Sequence, residues 1–91
     1  MTEHSPAMER YLRAREARSY EQGVDRRRSM AAQHRDDISS LTRLRDAIRG
    51  IDALQDTMPA LERALEVLEV QATDCEASAR YLEALAAGAS S

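Results

Sequence analysis

Arg49-Gly50-Ile51-Asp52-Ala53-Leu54-Gln55-Asp56-Thr57-Met58-Pro59 is the stretch whose reading decides the fold. Arg49 is a cation suited to a helix C-terminus, and Gly50 follows it as a natural stop. Asp56 or Thr57 can cap a new helix, and Pro59 fits a first helical turn, where a missing N–H costs nothing. Read this way, the chain turns back on itself within residues 50–57. Upstream, Ser5-Pro6 is a second start signal, and between Pro6 and Arg49 the only break is Gly23. Ala, Arg, Glu, Gln, Leu and Met, all good helix formers, dominate both arms. Val, Ile and Thr never alternate at period two, which excludes strands. After Pro59 no Gly or Pro occurs until Gly88, which is placed to end the second helix. The prediction is therefore an all-α fold, an antiparallel helical hairpin or coiled coil. It forms a single helical domain over 1–91: helix about 6–49, turn about 50–57, helix about 58–87 and a frayed tail 88–91.

A competing arrangement comes from the apolar spacing. Leu44, Ala47, Ile51, Leu54, Met58, Leu61, Leu65, Leu68, Ala72, Cys75, Ala79, Leu82 and Ala86 follow one another at three- and four-residue steps. That is an unbroken heptad seam running through both Gly50 and Pro59. One continuous helix over about 38–87 would preserve it, at a cost of ~3 kcal/mol for the kink at Pro59. The cap-and-proline pair at 56–59 favours the hairpin. The first arm has a seam of its own: Ala17, Tyr20, Val24, Arg27, Ala31, His34, Ile38 and Leu41. With a turn near residue 53, residue i should face roughly 107 − i. Residues 6–19 then project beyond the second helix, unless a bend near Gly23 folds them back as a short third helix.

Two sets of residues are candidates for binding a partner. Met8, Tyr11 and Leu12 are apolar groups on the projecting segment, and Leu61, Leu65 and Leu68 are the expected most-buried anchors of the seam.

Composition narrows the function classes. Hydrophobic residues are 43% of the 91, an ordinary share that argues against wholesale disorder. There is no Phe or Trp and only three Tyr, so the apolar side chains suit thin helix–helix seams rather than the walls of a catalytic cleft. A chain this short buries little surface alone, and association with itself or a partner is the expected remedy. All 13 basic residues are Arg, and the net charge is −3. Residues 1–50 hold 11 Arg against eight acids, whereas residues 51–91 hold two against eight. Two arms of opposite sign suit a hairpin that neutralises itself.

Chemistry finds few candidates. His34 and Asp37 share a helical face at a spacing metal sites use, but two ligands do not make a site, and His4 lies far off near the start. Cys75 occupies a seam position as a small buried hydrophobe, and one cysteine excludes an intrachain disulfide. Arg26-Arg27-Arg28 spreads over about 200° of a helix and so forms no single-faced patch. No phosphate loop, nucleophile elbow or dinucleotide fingerprint occurs. The expectation is no catalytic residue, no cofactor and no metal. No apolar run approaches ~18 residues, so no membrane span is expected. The polar start lacks the features of a signal peptide, which makes the cytoplasm the expected location, with signal-less export left open.

In size and hairpin layout the chain resembles small secreted WXG-type proteins and the small subunits or chaperones of bacterial secretion systems. It lacks the Trp-x-Gly turn of the first (here Arg49-Gly50-Ile51) and the Pro-rich turn of secretion needles. Pro59 to Leu82 is similar in rhythm to coiled-coil subunits of eukaryotic organelle-biogenesis complexes. These are resemblances of pattern and name no family. The expected function is a non-enzymatic protein–protein interaction module: a coiled-coil subunit, adaptor or small chaperone acting through its heptad seam on a protein partner or as a homo-oligomer. The alternative is an Arg-rich helix binding nucleic acid, which the acidic balance and the scarcity of aromatics argue against.

Overall fold

A computed structural model describes residues 5–90, with the side chain of Ser90 left aside. The hairpin forms. Helix α1 spans Pro6–Ile48, a 3₁₀ segment spans Asp52–Thr57, and helix α2 spans Met58–Ser90. Ser5 caps α1 as its sequence signals: its hydroxyl accepts from the Met8 amide at 3.1 Å, and Pro6 occupies the first turn. At 1.5 Å per residue the 43 residues of α1 and the 33 of α2 make rods of about 65 and 50 Å. Laid side by side they fill a body of 74 × 19 × 14 Å. The radius of gyration is 21.1 Å, against about 12 Å for a compact domain of this length. The fold is one seam between two helices, with no second layer behind either.

The turn is built differently from its expected form. Thr57, read above as a cap for α2, instead donates its hydroxyl to the Leu54 carbonyl at 2.6 Å, inside the 3₁₀ segment. The key side chain is Gln55. Its Nε2 lies 3.0 Å from the Ile48 carbonyl, 2.9 Å from that of Arg49 and 2.9 Å from that of Ile51. The last carbonyls of a helix have no partner within the helix, and here one amide reaches two of them, on Ile48 and Arg49, together with the Ile51 carbonyl at the start of the 3₁₀ segment. At the other end α2 runs on through Gly88 to Ser90 rather than stopping at 87. Gly88 has no left-handed φ, so it closes no cap. Ser91, the last residue of the expected tail, lies outside the described residues. Nor does α1 bend at Gly23 to release a third helix. A Cβ at Gly23 would stand 3.0 Å from Leu82 Cδ1, so this glycine marks a close approach of the two helices.

The seam of α1 keeps its phase to the end. Ala17, Val24 and Ala31 are buried, with Tyr20, Arg27, His34, Ile38 and Leu41 half-buried between them. The next two steps fall on Arg45 and Ile48, and Ile48 is buried. The apparent continuation through Leu44, Ala47, Ile51 and Leu54 is therefore not a packed face. All four are exposed. Leu44 lies one step off the seam, and Ile51 and Leu54 lie in the turn, where heptad phase has no meaning. On α2 the seam from Met58 to Ala86 packs as spaced, but its tightest points are not the leucines. Ala72, Ala79 and Ala86 are buried, whereas Leu61, Leu65 and Leu68 are half-buried. Alanines let the backbones close in and shut out solvent. A leucine between only two helices always keeps one side in water.

Polar groups in the seam are only partly satisfied. The Arg27 guanidinium folds back to donate to the Gly23 carbonyl of its own helix at 3.3 Å, with its stem along the seam. His34 Nδ1 and Arg45 Nε are buried and have no hydrogen-bond partner among the described residues.

Candidate protein-interaction surface

Heptad phase gives the hairpin two flanks, and they differ in chemistry. On one, the residues just after the inner seam positions are Glu21, Arg28, Arg35 and Thr42 on α1 and Glu62, Glu69, Glu76 and Glu83 on α2. Seven of these eight are charged. The chain's own ion pairs form here. Arg28 meets Glu83, and Arg35 forks between Glu69 at 2.6 Å and Glu76 at 2.7 Å. The 107 − i register puts Arg28 opposite Ala79 and Arg35 opposite Ala72. The observed partners lie about one turn from those alanines. Arg35, whose own pKa is raised by the two hydrogen bonds, holds the Glu76 carboxyl below the usual carboxylate range; the hydrogen bond contributes more than the charge. These side chains are 40–57% exposed, so the pairs set register more than they add stability.

The opposite flank carries Gly23, Met30, Asp37 and Leu44 on α1 and Ala64, Gln71, Ser78 and Leu85 on α2. One of these eight is charged. Two shallow grooves open on it. Arg26, Met30, Asp74, Cys75 and Ser78 line one, and Glu16, Tyr20, Leu85 and Gly88 line the other. In the second the Tyr20 hydroxyl donates to Glu16 Oε1 at 2.8 Å. That bond, then the Glu16 charge, raises the phenol's pKa, and the nearby Tyr81 adds to it. Val67 and Tyr81 stand one heptad either side of Asp74 on the same flank. Of the large apolar side chains left exposed, Met30, Leu44, Val67 and Tyr81 all fall here, Tyr81 at 66% exposure. Leu12 adds to the same flank beyond the end of α2. Sequence reading missed this asymmetry because it placed Leu44 inside the seam. With the α1 seam carried on through Arg45 and Ile48, the two columns can be read directly from the chain.

Met8, Tyr11 and Leu12 lie on the part of α1 that runs past α2, and all three are exposed. The seam phase, traced back from Ala17, falls on Arg13 and Arg10. The apolar trio therefore occupies the other side of the helix. Leu61, Leu65 and Leu68 lie in the intramolecular seam, near the turn.

Searched against protein families, curated proteins and solved structures, the chain has no significant match. Among the described residues no three His, Cys, Asp or Glu side chains gather as a metal would require. His4 lies outside the described residues. No described helix is long and apolar enough to cross a membrane.

Proposed function

We propose that the protein is a non-enzymatic protein-interaction module: a coiled-coil hairpin that serves as a subunit, adaptor or small chaperone. One observation carries the reading. The seam is closed by the chain itself, yet large apolar side chains remain in water: Met30, Leu44, Val67 and Tyr81 along one flank and Met8, Tyr11 and Leu12 on the projecting end of α1, with Ile51 and Leu54 exposed in the turn and Val70 beside the charged flank. Helical surfaces of this kind dock other helices through apolar positions at three- and four-residue spacing. Met8, Tyr11 and Leu12 have that spacing, on a rigid arm reaching about 15 Å past the end of α2. Leu61, Leu65 and Leu68 serve the module by holding the hairpin's turn end together, with their open edges available to a partner. The grooves beside the seam are shallow, open troughs rather than clefts that would enclose a substrate.

A photo-reactive amino acid in place of Tyr11, in cells that make the protein naturally, tests this. Discrete covalent adducts with few proteins are expected. Their absence at Tyr11 and, in a second variant, at Tyr81 would contradict the reading.

A further inference from the structure

We infer that the weakly charged flank is the docking face for a second copy of this chain, giving a dimer of hairpins with four helices around a shared core. The inference rests on the interaction-module reading and names one partner for one of its surfaces.

The area argument is direct. The hairpin exposes 6849 Å², where a folded monomer of its 10.2 kDa mass exposes about 5,300 Å². The excess is about 1,500 Å² per chain. A standard stable interface takes about 800 Å² from each partner, and obligate homodimers take more. Two layers of helices also supply what the fold lacks, a place where half-buried seam leucines meet a partner on their open side.

The chemistry of the flank selects a copy of itself. Met30, Leu44, Val67 and Tyr81 are spread along both helices, with small residues such as Gly23, Ala64 and Ser78 between them. Large and small groups spaced in this way can interdigitate across a two-fold axis, where the same patch faces itself. Charge on it is of both signs: Arg13, Arg26 and Arg27 line its two grooves together with Glu16 and Asp74, and Asp37 stands on the same flank. Three positive groups balance three negative ones, so two copies approach without a net like-charge penalty. The other flank is a poor rival. Arg28 and Arg35 already spend their charge on Glu83, Glu69 and Glu76, and burying those pairs would cost their hydration.

Sedimentation or light scattering between about 1 and about 100 µM reads the outcome. The expected mass is twice the chain mass, with a melting temperature that rises with concentration. Val67→Arg and Tyr81→Glu, both at exposed positions, should keep the helical circular dichroism and weaken association at least about tenfold. Glu62→Gln on the charged flank and Tyr11→Ser on the projecting arm should leave the mass unchanged. A single-chain mass at the highest concentration overturns the dimer. So does a dimer that ignores the flank substitutions and falls apart with Tyr11→Ser. A monomer that still forms adducts with other proteins at Tyr11 overturns only the second copy, while a monomer forming none removes both readings.

Discussion

Gln55 ends α1 from seven residues away, and two substitutions separate its hydrogen bonds from its bulk. Gln55→Ala removes the donor shared by the Ile48, Arg49 and Ile51 carbonyls and should cost about 1 kcal/mol in urea denaturation. Gln55→Glu keeps the shape but points a carboxylate at the same oxygens. It should cost more at neutral pH, with the deficit shrinking once acid protonates the carboxyl. Equal effects of the two changes at both pH values would show that the amide is not the clasp. A glutamine that caps from within a turn leaves no local signature, because its acceptors are set by the path of the chain and not by neighbouring residues. The Arg35 fork carries a pH dependence of known sign. Glu76 has a lowered pKa in the folded chain, so its contribution is complete above the unfolded value of about 4.3 and is lost as pH falls from there toward the lowered value. Thermal melts between about pH 5 and about pH 3 should show a falling midpoint, less steep in Arg35→Gln and in high salt. An unchanged slope in Arg35→Gln would remove the fork from the account.

At the scale of the helices, stability is concentrated where small residues bring the backbones together. Ala79→Leu places three extra carbons where the alanine is 1% exposed and should destabilise by about 1–3 kcal/mol through overpacking. Leu65→Ala, at a half-buried position, should cost less than the 2–5 kcal/mol of a fully packed leucine, about 1–2 kcal/mol. The opposite order in chemical denaturation would return the core to the leucines. Heptad spacing made α2's seam legible in advance, the turn signals within 50–59 the antiparallel register near 107 − i, and Ser5-Pro6 the capped start of α1. Periodicity reports which residues share a face, but it cannot weigh them. Ala72 and Leu68 count equally in a seam, and only the distance between two backbones makes the alanine the tighter contact. Periodicity also continued by coincidence through Ile51 and Leu54, where the helix had already ended. The charged flank, once the α1 seam is followed to Ile48, was legible in full from Arg28, Arg35 and four glutamates at seven-residue steps.

The whole molecule is a rod of two helices, 74 Å long and at most 19 Å wide, and this shape governs what it can do. Such a body has no interior to hold a substrate away from water, but it has long faces at fixed spacing. The proposed function requires that the chain close its own seam, which leaves the flank and the projecting arm as the surfaces a partner would meet. In an extended helix kinked at Pro59, the seam itself would be bare and would serve as the binding site. One distance separates the two. Spin labels at Ser29 and Ala77, both exposed and on outward faces, are introduced as cysteines in a Cys75→Ala background. The labelled protein is diluted with unlabelled chain to exclude pairs between molecules. Helix axes ~10 Å apart with labels on their outer sides give a distance of about 20–30 Å. An extended rod separates the same positions by about 70 Å, at 1.5 Å for each residue between them. A single population near the short distance is the predicted result. A population near the long one would contradict the hairpin and everything built on its flanks.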